Sequence, residues 1–199
     1  MEPKERIIKS AIKVFLKKGY DATSVNDVVE ESQLSKGGIY HYFKNKQDLF
    51  IQAIDLLFTE FENIETEIYS KFTNVQNILK TYFNSLSEIN KFVAEFANSD
   101  DVEIDSFYML MMDAFVKFPE IKQRHAETQR QGLLHLISIL EKAQKEGTIR
   151  KDVDCSTLGF MVSALAEGTI IYNILNERID LEYMGQKLFD TIWNGISKE

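Results

Sequence analysis

The sequence predicts an all-α protein, and three observations carry that prediction. Apolar residues recur at a 3.6-residue period along most of the chain. Only two prolines and nine glycines interrupt 199 residues, and both prolines, Pro3 and Pro119, stand where a periodic run begins. No strand-like alternation survives a count, apart from brief β-branched patches. A content of 44% apolar and 27% charged residues excludes collagen-like and low-complexity disordered classes and supplies a sizeable core.

The elements follow in chain order. From Pro3 to Lys18 the apolar stripe is Ile7, Ile8, Ala11, Ile12 and Phe15, and Gly19 is the stop. Its opposite face carries Lys9, Lys13 and Lys17, which reads as a solvated row rather than a phosphate contact. A short helix over residues 24–32 turns Val25, Val28 and Val29 inward, and Ser24 with Asp27 three later resembles a capping box. A third runs over 36–43. A fourth starts after Asn45, an N-cap with Asp48 three later, and carries Leu49, Phe50, Ala53, Ile54, Leu57, Phe58 and Phe61 toward Tyr69. Further helices are expected over 74–97, 102–117, 119–146, 155–177 and 181–197. The breaks lie at Ser99-Asp100-Asp101, Pro119, Gly147 and Asn176-Glu177-Arg178.

Charge divides the chain. The net charge is -8, yet residues 1–50 hold nine Lys/Arg against seven Asp/Glu, and the rest holds 14 against 24. A basic head on an acidic body directs nucleic acid to the head. Two short helices joined by a tight turn, with another packed behind, form a helix-turn-helix, whose second helix enters the major groove. Here that helix holds Gly37 and Gly38, each about 1 kcal/mol worse than Ala inside a helix. Packing gives no reason to choose them. A surface pressed against DNA does, with Lys36, Tyr40, His41 and Tyr42 as donors and the helix N-terminus facing phosphate. Ile39 and Phe43 are assigned to the core.

Gly19-Tyr20, Ala22-Thr23-Ser24-Val25 and the run from Ser35 through Gly37, Gly38, Ile39, Tyr40, His41, Tyr42, Phe43, Lys44 and Asn45 to Lys46 resemble the TetR family of bacterial transcriptional repressors. The resemblance covers residues 5 to 58. It implies that Ser24 and Asn26 touch phosphate or an outer base. Ser35, Lys36, Gly37 and Gly38 make base contacts, while Tyr40, His41, Tyr42 and Lys46 grip phosphate. Gln33 stands where relatives often have Gly, and so adopts the left-handed region or shifts the turn. Gly38 replaces a residue that is usually Thr, Ser or Asn.

The expected division is a DNA-binding domain over 3–60, sharing the fourth helix, and an effector-binding and dimerisation domain over 61–199. Phe58, Phe61, Phe83, Phe96, Phe107, Met111, Phe115 and Tyr172 are the candidates for an aromatic-lined effector pocket, with Tyr108 in the same pattern. Leu158, Met161, Val162, Leu165, Ala166, Ile170 and Ile171 leave residues 155–177 apolar nearly all round. Gly159, Ala164 and Gly168 permit close helix approach. The resemblance implies a homodimer joined by a four-helix bundle of the last two helices.

No catalytic constellation, phosphate loop or paired metal-ligand motif is visible, so neither an enzyme nor a cofactor or metal is expected. His125 and His135 lie ten apart, against three or four for a zinc pair on a helix. Cys155 is the single cysteine, which excludes an internal disulfide and reads as an inert thiol. The acidic stretch from Asp100 to Asp105 lacks the Gly and terminal Glu of a calcium loop and reads as a solvated helix start. The N-terminus resembles no signal peptide, and the candidate span Gly159–Leu175 is short and holds Glu167, so a cytoplasmic location without a membrane is expected. The function these features imply is a repressor released from a palindromic operator by a small, mainly apolar effector. The alternative is an effector-independent DNA-binding protein of nucleoid or cell-division control.

Overall fold

A computed structural model describes residues 2–99, 102–176 and 179–198. Asp100 and Asp101 of the acidic stretch, and Glu177 and Arg178 of the last expected break, lie outside the described residues. Ten α-helices and no strand are found among the described residues. They are α1 (Pro3–Ala22), α2 (Val25–Ser32), α3 (Lys36–Tyr42), α4 (Lys46–Lys71), α5 (Val75–Asn84), α6 (Ile89–Ala97), α7 (Ile104–Lys117), α8 (Pro119–Lys145), α9 (Cys155–Leu175) and α10 (Leu181–Ile196).

The helix ends have local causes. Ser24 caps α2 through a complete capping box: Asp27 N–H donates to its hydroxyl, and the Asp27 carboxylate accepts from Ser24 N–H at 2.6 Å. Ser35 caps α3 by accepting from Gly38 N–H at 3.1 Å. Asn45 accepts from Asp48 N–H at 2.8 Å at the start of α4. Asn74, Asp154 and Asp180 cap α5, α9 and α10 in the same way. α1 does not stop at Lys18: it passes a break at Gly19 (φ 74, ψ 170), a region open essentially to glycine alone, and resumes to Ala22. Gln33 takes the left-handed conformation (φ 55, ψ 31) in the turn between α2 and α3. The single helix expected over 74–97 is divided. A 3₁₀ turn, Ser85–Glu88, separates α5 from α6, because serine hydroxyls at 85 and 87 bond back to the carbonyls of Tyr82 and Asn84.

By packing, the described residues fall into two units. One comprises Met1–Phe61 and Asn90–His125, the other Glu62–Ile89 and Ala126–Glu199. α4 and α8 give residues to both. These units partition the chain differently from the expected functional division, since α6 and α7 group with the head.

In the first unit, Ile7, Ala11, Ile12 and Phe15 of α1 are buried with Val28, Ile39, Phe43, Leu49 and Phe50. Each large apolar side chain buried there contributes about 1.5–3 kcal/mol. Of the α2 valines, Val28 is fully buried, whereas Val25 and Val29 are half-buried. Arg6 reaches across to the α2 end, its Nε donating to the Ser32 carbonyl at 2.8 Å. In the second unit, α10 packs against α5 so closely that a Cβ at Gly185 would overlap the Phe83 carbonyl. Gly159 is equally committed inside this unit, 2.8 Å from Ile137 Cγ1 for an added Cβ. Residues 149 and 197 form a bridge that ties the α8–α9 connection to the C-terminal end.

Candidate nucleic-acid interface

α2, the turn at Gln33 and α3 form a helix-turn-helix, and Ile39 and Phe43 are its inward anchors, each about 1% exposed. The rest of α3 faces out. Lys36, Gly37, Tyr40, His41 and Tyr42 are exposed and contiguous on the helix, and Gly38 is half-buried. His41 and Tyr42 meet edge to face at 4.8 Å, which fixes their ring planes. The two glycines differ in their surroundings. A Cβ at Gly38 would stand 3.3 Å from Ser35 Oγ, the atom that caps the helix. A Cβ at Gly37 would touch nothing closer than 4.0 Å, so the chain's own packing does not require glycine there.

Three head lysines already have carboxylate partners. Lys9 pairs with Glu5 at 3.0 Å, Lys13 with Glu31 at 2.7 Å and Lys18 with Asp27 at 2.5 Å. Two members of the α1 lysine row are therefore engaged within the protein. Lys18, then Ser24, hold the Asp27 carboxyl well below the usual carboxylate range. Lys36 and Lys44 are exposed and in no ion pair among the described residues. Lys44, in the α3–α4 turn, is an interface candidate absent from the sequence-based set; its position one residue beyond Phe43 and two before Lys46 is the signal that marks it.

Lys46 has a different setting from that of a free surface lysine. Its ammonium donates to the carbonyls of Tyr20 at 2.9 Å and Thr23 at 3.0 Å, and stands 4.2 Å from the Tyr20 ring centroid. Two of its three donors thus cap the end of α1, and one is left. The Ser24 hydroxyl is spent on Asp27, at 2.6 Å. Asn26 is exposed, and the Ser35 hydroxyl keeps its own proton for a further acceptor.

The aromatic candidates divide. Phe58, Phe61, Phe96, Phe107, Met111 and Phe115 belong to the first unit. Phe61 packs against Phe107 at 4.9 Å and Phe92 at 4.8 Å, and Phe92 stacks on Phe96 at 6.0 Å. The His125 ring lies 5.0 Å from Phe58 and 5.0 Å from Phe115. Phe92 and His125 are thus members of a cluster that the spacing of phenylalanines along the chain did not reveal. Phe83 is buried in the second unit. Tyr172 is corrected: it is 68% exposed on the outer side of α9 and lines no interior. A cleft of about 440 Å³ in the second unit is lined by Tyr69, Phe72, Ile78, His135 and Lys142, among others, and by none of the aromatic candidates.

α9 buries one face only. Leu158, Val162, Ala166 and Ile170 pack inside the unit, so the expectation that Leu158, Val162 and Ile170 face a partner is corrected. The exposed apolar stripe is Phe160, Met161, Ile171, Tyr172 and Leu175, with Gly168 open beside it and Leu165 half-buried. Cys155 is buried, and burial raises its thiol above the ordinary value. No cluster of three metal-ligating side chains occurs among the described residues.

Residues 7–53, the helices just described, match the bacterial regulatory proteins of the tetR family. These N-terminal helices are thus similar to the DNA-binding helices of TetR-family regulators. An uncharacterized HTH-type transcriptional regulator of Bacillus subtilis, YerO, is 39% identical over 74 residues, 35% of this chain and 26% of YerO. This chain spans about a quarter to a third of the length of the first curated relatives it matches. Two solved structures share the whole fold. A putative transcriptional regulator from Saccharomonospora viridis in complex with choline has a TM-score of 0.80 at 19% identity, covering 98% of each chain. FadR from Bacillus subtilis in complex with stearoyl-CoA has a TM-score of 0.72 at 21% identity, covering 96% of this chain and 98% of that one.

Proposed function

We propose that this protein is a ligand-responsive repressor of the TetR family that binds operator DNA as a homodimer. The observation that carries the reading is α3: an outward surface of Lys36, Tyr40, His41 and Tyr42 around a glycine that the chain's own packing does not require. Lys36, Gly37 and Gly38, with Ser35, reach base edges. Asn26, Tyr40, His41, Tyr42 and the remaining donor of Lys46 hold phosphates, and Lys44 joins them, whereas the Ser24 hydroxyl stays with Asp27 as the α2 cap. Two heads related by a two-fold axis read inverted half-sites about 34–36 Å apart. The exposed stripe on α9 supplies the contact between subunits, because an apolar helix face of that size is otherwise left in water.

The effector reading rests on the aromatic cluster about α4. Phe58 and Phe61 lie on the helix that begins with Lys46, so a ligand wedged among them moves the element that seats the head. The cluster is apolar and the chain beyond residue 50 is acidic, which suits a neutral or cationic, mainly apolar compound. The two similar structures are complexes with choline and with stearoyl-CoA, ligands of opposite character. The class proposed for this chain therefore rests on its own lining.

Selection of duplexes from a random pool tests the DNA reading. An inverted repeat is expected, and a single asymmetric half-site as the best binder argues against it. A compound found by screening is then titrated with and without the selected operator. Coupling of about 1–3 kcal/mol weakens its binding roughly 5–150-fold when operator is present. Equal affinity in both titrations removes the effector and leaves the effector-independent regulator.

A further inference from the structure

The end of α1 is held from two sides within the first unit. Gly19 breaks the helix, and Tyr20, Asp21 and Ala22 continue in a new direction before Thr23 and the capped start of α2. From α4, Phe50 lies 4.7 Å from the Tyr20 ring, and Lys46 covers the ring while bonding the Tyr20 carbonyl. From the end of α7, Phe118 meets the same ring edge-on at 4.9 Å and Phe50 at 5.3 Å. Lys117 lies 5.7 Å from the ring centroid and pairs with both Asp21 and Asp113. Tyr20 is thus the shared contact of α1, α4 and α7, four residues before the Ser24 cap.

We infer that Tyr20 is a positioning residue for DNA reading: the α7 end, through Phe118 and Lys117, holds the α1 tail and so sets where α2 and α3 stand. The inference rests on the regulator reading above and adds a connection to it. α4 reaches the head directly. α7, which carries Phe107, Met111 and Phe115 of the aromatic cluster, reaches it through Tyr20. A shift of the α7 end by a fraction of an ångström moves the Tyr20–Ala22 segment, because packed rings and a capped helix start transmit displacement rather than absorb it. Lys46 carries the same displacement to the start of α4, on the other side of α3.

The ion pair supplies a probe that spares the fold. Asp21 is 77% exposed, and a pair of that kind contributes little to stability. Its substitution changes position and charge without opening the core. Charge alone and position predict different results. By charge alone, Asp21→Asn tightens binding to every duplex, Lys117→Met loosens it, and the double variant returns to wild type. By position, each single variant lowers the ratio of affinities for the selected operator and a scrambled duplex.

The experiment measures that ratio for the full-length protein, with the thermal midpoint of each variant as a control. We expect Asp21→Asn and Lys117→Met each to lower the ratio about three- to tenfold, the scale of one such pair in each of two heads. The double variant falls no further than Lys117→Met, because that change already removes the contact with Asp21. Tyr20→Phe keeps the wild-type ratio, whereas Tyr20→Leu lowers it beyond either charge variant. An unchanged ratio in both single variants, with opposite shifts in affinity for all DNA, overturns the positioning role and leaves the regulator reading intact. A wild-type protein that prefers no duplex overturns the regulator reading itself.

Discussion

At the residue scale, Gly37 and Gln33 separate what the fold needs from what DNA needs. Gly37 has open space where a side chain would be. Gly37→Ala is expected to raise the stability of the folded protein by up to about 1 kcal/mol, since alanine favours helix. The same change is expected to weaken operator binding, because the added methyl group stands between α3 and the groove. Thermal unfolding and operator titration of one variant check both halves; a stabilised protein with unchanged binding argues against close approach at this position. Gln33 has the opposite problem, a left-handed conformation without glycine. Gln33→Gly is expected to stabilise by about 0.5–1 kcal/mol, the smaller part of the left-handed penalty being lost to a freer unfolded chain. The sequence already pointed to both positions, through the glycine pair and the missing turn glycine. Lys46 was less legible. Its place in the motif marks it for phosphate, but its bonds to Tyr20 and Thr23 depend on where α1 ends, and the break at Gly19 followed by a further turn is not visible in periodicity. Lys46→Ala is accordingly expected to lower the unfolding midpoint as well as to weaken binding to all duplexes.

At the element scale, the capped starts were read from spacing because Ser24–Asp27 and Asn45–Asp48 are local chemistry. Asp27, Asp48 and Asp154 all have carboxyls held below the usual range, by hydrogen bonds chiefly from Lys18, Lys44 N–H and Thr157 N–H respectively. A depressed native value means the stabilisation is full above the unfolded value, about 4, and is lost as pH falls toward the native one. The unfolding midpoint is therefore expected to drop on acidification below about pH 4. Asp27→Asn is expected to flatten part of that drop; an unchanged slope contradicts the role given to the capping box. What spacing did not show was the division of residues 74–97, where serine back-bonding wins over a continuous apolar stripe. Nor did it show which face of α9 is outward, because a helix that is apolar all round has no sequence signal for direction. α10 offers a paired test of helix packing. Gly185→Ala is expected to destabilise by about 1–3 kcal/mol, since the methyl group meets backbone on α5. Gly195→Ala, in open space, is expected to stabilise slightly.

At the scale of the whole molecule, the reading requires two copies of the chain and one operator. Phe160 and Leu175 are 63% and 79% exposed, so Phe160→Glu with Leu175→Glu leaves the subunit core untouched. Sedimentation is expected to show a helical monomer with weak operator binding; a variant that remains dimeric moves the subunit contact elsewhere. The proposed reader of base sequence is α3, on a head several of whose other lysines are engaged within the protein. The most direct measurement compares wild type and Lys36→Ala on the selected operator and on a scrambled duplex across a salt series. A loss of about 1–3 kcal/mol on the operator, a salt slope lower by about one, and a collapse of preference at one base position are expected. Equal losses on both duplexes, with base preference intact, would contradict this role for α3.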